Sequence, residues 1–184
     1  MHSPAALTHR LMRARDGATA PLEDPMNNAF FRIHHIIIEV ASYLLLIISV
    51  LIALAAMRVI KGPIPIHYDI TGTPDSFGDA TSLLLMPIIM LACNALCSVI
   101  LHFVSPTHWN MPAKITPGHE YAAYGAAITL VTLVMLILAA FTVLFVICQI
   151  LGATGPLVLK LTLGMVVVMF LVIFIYWRKI KRIS

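Results

Sequence analysis

The chain has 184 residues, of which 60% are hydrophobic and 11% charged, with a formal net charge of +4. A soluble domain carries about 25% charged residues, so the composition excludes an ordinary soluble fold and points to a chain that lives in a membrane. The basic excess is read against the membrane, and nucleic acid is excluded as a partner because no helix presents a basic stripe away from the membrane ends.

Residues 1–32 are polar, with Pro4, Pro21 and Pro25 and few large apolar residues, and are expected to form a disordered tail. They lack the apolar core of a signal peptide, and Met26 is a candidate start. Residues 33–184 read as an all-α membrane domain of four transmembrane helices, over about 36–60, 83–104, 117–151 and 156–177. Gly62-Pro63 stops the first span, because proline disfavours helix in the residue before it. Thr81 or Ser82 can cap the second, which ends at Ser105-Pro106. Thr116-Pro117 reads as cap and first residue of the third. At 1.5 Å per residue that helix is about 52 Å long, so its first turns should stand outside the hydrocarbon. Gly152 stops it, and Gly155-Pro156 opens the fourth helix. No internal repeat is evident.

An even number of spans puts both termini on one side. That side holds Arg10, Arg13, Arg15, Arg32, Lys114, Arg178, Lys179, Lys181 and Arg182, against Arg58, Lys61 and Lys160 on the other. The richer side is expected to be cytoplasmic. The segment 62–81 is then an ordered extracytoplasmic loop, with Asp69, Asp75 and Asp79 in it and Lys61 beside it.

This loop is the place to look for chemistry. Ile66, Tyr68 and Ile70 alternate with His67, Asp69 and Thr71, which would put them on opposite sides of an extended chain. Gly72 supplies a positive φ and Pro74 fixes a torsion, so the chain turns and Asp75 can return towards His67. One reading is a metal or acid–base site of His67, Asp69 and Asp75. The other is that the aspartates accept backbone hydrogen bonds in turns while His67 bonds to one of them; this carries more weight, since three candidate ligands within nine residues is a weak signal. Asp79 reads as a turn or cap residue. No cofactor motif is present, and enzymatic activity is not expected.

Glu39 and Lys160 lie inside apolar runs, where ionisable residues are functional candidates, as in a transporter subunit. Each lies near the end of its helix and can snorkel, and no direct pair is expected. His34, His35, His102, His108 and His119 read as separate interfacial residues. Cys93, Cys97 and Cys148 read as apolar packing residues. Ala122, Ala126 and Ala123, Ala127, with Gly125 between, mark close helix approach.

Pro63-Ile64-Pro65-Ile66-His67-Tyr68-Asp69 followed by Gly72-Thr73-Pro74-Asp75-Ser76-Phe77-Gly78 resembles the signature of a widespread bacterial membrane domain of unknown function. That domain also forms the N-terminal part of the immunity protein against the sporulation-delaying toxin. Trp109-Asn110-Met111-Pro112-Ala113-Lys114-Ile115-Thr116 is similar to the family's second loop, and the resemblance runs over residues 40–150. Asp69 stands where the family often has asparagine, and Asp79-Ala80-Thr81 lacks its lysine. The resemblance implies that Pro65, His67, Asp69, Gly72 and Asp75, with Asn110 and Pro112 in the second loop, are the motif residues. It places envelope sensing, or immunity to a membrane-active peptide, among the functions to expect, with a protein or peptide partner at the extracytoplasmic face. The rival readings are a small membrane enzyme or metal-binding protein, and a transporter subunit.

Overall fold

The computed structural model describes residues 30–183. Four helices carry the chain back and forth: α1 (Ile33–Val59), α2 (Leu85–Phe103), α3 (Glu120–Ile150) and α4 (Pro156–Ile183). Each, α2 together with its 3₁₀ lead-in, is long and apolar enough to cross a membrane. The chain is therefore an all-α, multi-pass membrane protein surrounded by lipid. Between α1 and α2 stands an antiparallel hairpin of β1 (Ile64–Tyr68) and β2 (Pro74–Gly78). The two ends of the bundle are the hairpin end and the terminal end.

The first 29 residues, most of the expected tail, lie outside the described part. Phe30 to Arg32 pack on the bundle: Phe30 lies 5.2 Å from the Tyr124 ring, and the Arg32 guanidinium sits 5.0 Å above the ring of Tyr121.

The helix limits follow from local chemistry. The last ladder bond of α1 runs from the Ile60 N–H to the Ala56 carbonyl, and Gly62-Pro63 allows no more. A 3₁₀ turn, Ala80–Leu84, precedes α2. A continuous α-helix from Ala80 would need an N–H from Pro87 to the Leu83 carbonyl, and proline has none. By starting at Leu85, α2 keeps Pro87 in its first turn, where no donor is required. The expected cap at Thr81 or Ser82 is absent: both lie inside the 3₁₀ turn, which Asp79 precedes, and the cap position of α2 is Leu84, with no side-chain capping bond at either.

Thr116-Pro117 does not open α3. His119 N–H bonds the Thr116 carbonyl, and Gly118 takes φ +92°, so Pro117 and Gly118 form the centre of a turn. The helix begins three residues later than expected, with the Glu120 carboxylate accepting the Gly118 N–H at 2.8 Å. At the far end, Gly152 at φ +60° closes α3 as a Schellman motif: Ala153 N–H bonds the Cys148 carbonyl and Gly152 N–H that of Gln149. The fourth helix runs on to Ile183, six residues past the expected end, because the basic run after Trp177 is compatible with helix beyond the hydrocarbon.

The longest helix, α3, is the spine. It packs against α1, α2 and α4, and it holds twelve of the buried residues. Small side chains permit this, including Ala123, Ala126, Ala127 and Ala139. Three apolar clusters stack along it: Ala53, Ile64, Leu83 and Val146 at the hairpin end; Leu101, Ile128 and Met135 midway; Ala126, Ala127 and Ile180 at the terminal end. By contrast the described part of α4 buries only Val158 and Ile180, and much of its apolar surface is exposed, as a lipid-facing helix requires.

Candidate functional site

The hairpin is irregular, and the irregularity makes its chemistry. Pro65 pairs with Phe77 and His67 with Ser76, so Ile66 is an extra residue on β1. His67 pairs with Ser76 and Tyr68 with Pro74, so Asp75 is an extra residue on β2. A bulge re-aims the side chains around it. Here the two bulges bring His67 Nδ1 to 2.5 Å from Asp75 Oδ1, both side chains largely open to solvent. They also break the expected alternation: Ile64 and Pro65 are buried, whereas Ile66 and Ile70 are exposed.

Asp69 has a separate task. Its Oδ1 accepts the N–H groups of Thr71 and Thr73 at 2.8 and 2.9 Å and the Thr71 hydroxyl at 2.7 Å. Its backbone N–H bonds the Thr73 carbonyl and its carbonyl accepts from Gly72. The carboxylate thus organises the turn, and these bonds, that of the Thr71 hydroxyl first, hold its pKa below the ordinary value. Among the described residues no group of three His, Cys, Asp or Glu side chains has a metal-holding arrangement. Of the three candidate ligands the structure therefore joins two, His67 and Asp75.

Three anchors fasten the hairpin to the bundle. At its base Ile64 enters the apolar cluster with Ala53, Leu83 and Val146. In its middle the Gln149 amide of α3 donates to the Pro65 carbonyl at 2.9 Å, and Tyr68 meets Phe145 edge-on at 5.7 Å. At its tip Gly155 N–H donates to the Gly72 carbonyl at 2.7 Å. Gly72 sits at φ +81°, and a Cβ there would be driven into the Gly155 carbonyl and to 2.9 Å from the Leu159 nitrogen. Gly72 is thus required twice, for its φ and for this close approach.

Between the anchors a cleft of about 420 Å³ lies under the hairpin. Its roof is Ile66 to Ile70 with Gly72, and its floor is Phe141 and Phe145 of α3 with Val158, Leu159 and Leu163 of α4. Tyr68 contributes a buried hydroxyl with no hydrogen-bond partner among the described residues, and burial pushes its pKa up. Sequence reasoning missed Gln149, Phe141 and Phe145. The one available signal was a glutamine inside an apolar run.

The second-loop motif lies elsewhere. Asn110 and Pro112 are both exposed, Pro112 lining a shallow depression at the terminal end, where Trp109 and Met111 pack on Ala126, Ala127 and Ile180. The length of α2, about 28 Å at 1.5 Å per residue, separates it from the hairpin.

Glu39 and Lys160 do not meet. Lys160 lines a groove between α3 and α4 towards the hairpin end. Glu39 does not snorkel: it is 8% exposed and faces α2, where Ser98 donates to its Oε1 at 2.5 Å and His102 Nε2 lies 3.0 Å from Oε2. Tyr43 bonds the Ser98 hydroxyl, and Asn94 donates to Ser42 one turn further in. His35 is likewise buried, receiving the Arg32 N–H on Nδ1 and bonding Thr129 through Nε2. The expectation of separate interfacial histidines fails for His35 and His102, because in lipid a polar group on a helix face finds its partner on the neighbouring helix. These bonds tie α1 to α2 and α3.

Residues 44–91 match the model of the family described as Domain of unknown function (DUF1648). The match runs from Leu44 in α1 through the hairpin to Leu91 in α2 and supports a membrane domain of unknown function. It does not extend to the second loop. Searches of curated proteins and of solved structures give no match.

Proposed function

We propose that the hairpin end recognises a cationic amphipathic peptide, in a bacterial inner-membrane protein that serves envelope sensing or resistance to such peptides. The observation that carries this reading is the cleft under the hairpin, apolar below and edged by His67 and Asp69 above. A cleft of that size takes one or two large apolar side chains, while Asp75 on the same hairpin and Asp79 just after it, both exposed, attract basic ones. The basic residues gathered at the terminal end support a cytoplasmic placement for that end, so the hairpin faces outward, where such peptides arrive.

The test is binding of fluorescent cationic amphipathic peptides to the protein in nanodiscs, alongside survival of expressing cells under the same peptides. Asp75→Asn and Phe145→Ala should each weaken binding and protection with the protein still folded. Equal binding and survival in wild type, both variants and empty controls would refute the reading. A fall in survival without a change in binding would assign the hairpin a structural part only.

A further inference from the structure

A second cavity, of about 330 Å³, opens at the opposite, terminal end between α1, α3 and α4. Its polar lining is Arg32, His34 and His35 at the start of α1, Tyr121 and Thr129 from α3, and Tyr176 and Lys179 from α4, with His35 and Thr129 bonded to each other. Among the described residues no aspartate or glutamate lines it. The nearest carboxylate along α3, that of Glu120, is turned to the Gly118 N–H. The cationic groups are held in place: Arg32 lies 5.0 Å above the Tyr121 ring and Lys179 5.3 Å above that of Tyr176. The cavity exists because α3 carries Ala122, Gly125 and Ala126 where it faces α4, and a Cβ on Gly125 would meet nothing within 4 Å.

We infer that this cavity binds an anionic phosphate group. Arg32, Lys179 and His34 converge on one space with no aspartate or glutamate among its described lining residues, and each can donate to phosphate oxygens, whereas both ring nitrogens of His35 are already engaged. The cavity sits where the helices leave the apolar region, at headgroup depth, so the phosphate of an anionic lipid can enter from the side with its chains beside α4. A soluble phosphate could enter from the water. The chemistry is shared, and the two sources separate by experiment. This site is independent of the hairpin and of what the hairpin recognises.

The full chain is purified in neutral detergent and delipidated, and binding of phosphatidylglycerol and phosphatidylcholine is titrated by native mass spectrometry. Inorganic phosphate serves as competitor. Wild type should prefer phosphatidylglycerol on the order of tenfold, as expected for charge-assisted bonds. Arg32→Gln with Lys179→Gln should abolish the preference. Gly125→Leu, which keeps every charge and fills the space, should weaken phosphatidylglycerol binding. Lys181→Gln, on the same helix but outside the cavity lining, should leave it intact. Displacement by inorganic phosphate would show that soluble phosphate is also accepted, and resistance to it would name the lipid as the source. Either accords with a phosphate site. No preference in wild type, a preference that survives the double substitution, or equal loss in Lys181→Gln would overturn the inference.

Discussion

Gly72 meets two architectural demands at one position, a positive φ and a close backbone approach. It turns the hairpin, receives the Gly155 N–H, and allows the tip to touch the start of α4. Gly72→Val adds a β-branched side chain at φ +81° and a collision with the backbone it docks on. A loss of at least about 2 kcal/mol is expected in detergent unfolding, the sum of backbone strain and lost docking. Asp69 gives a pH dependence of known sign. Its folded pKa is depressed, so its contribution is present above the ordinary value of 3.8 and is lost as pH falls from there through the folded value. Asp69→Asn keeps an acceptor oxygen and should remove this acid sensitivity, read as the change in hairpin melting between neutral and acid pH. The residue types at these positions were legible in the chain, and so was a turn built on Gly72. That Asp69 serves the turn while Asp75 serves His67 was not, because the two bulges that set those partners belong to the pairing of strands.

At the scale of elements, the hairpin is a graft on α3 and the α3–α4 connection. A two-stranded hairpin alone is marginal in water, so its order comes from what it docks on. Gln149 is 4% exposed and supplies the middle anchor. Gln149→Leu leaves the Pro65 carbonyl without this donor, a cost of about 1–3 kcal/mol. Deuterium uptake should rise across residues 64–78 while α1 and α3 keep their protection. Uniform protection in the variant would mean that Ile64 and Gly72 hold the hairpin unaided. The helices themselves were readable from apolar run length, since lipid leaves the backbone no other way to satisfy its hydrogen bonds. Their limits were less so: Pro87 splits the start of α2 and the turn at Pro117-Gly118 delays α3, both through donors and torsions that a hydropathy pattern does not register.

For the whole molecule, the decisive measurement is sidedness. With the three native cysteines replaced, Ser76→Cys on the hairpin should label with a membrane-impermeant thiol reagent in intact cells, and Asn110→Cys in the second loop should label only after lysis. The reverse pattern would invert the assignment and move the proposed peptide site to the inside. By itself the sequence determined four spans, a structured loop between the first two, and a charge asymmetry between the ends, because each of these depends on runs and totals along the chain. Only the tertiary structure decided that α3 is the spine, that Glu39 pairs with His102 and His35 with Thr129, that the hairpin roofs a cleft, and that Arg32 and Lys179 share a cavity. The physical reason is distance in sequence: Arg32 and Lys179 stand at opposite ends of the chain, and Glu39 and His102 are separated by the hairpin and most of two helices. Which helix faces meet is set by small residues and interhelical hydrogen bonds in a solvent that gives apolar faces no preference for one another.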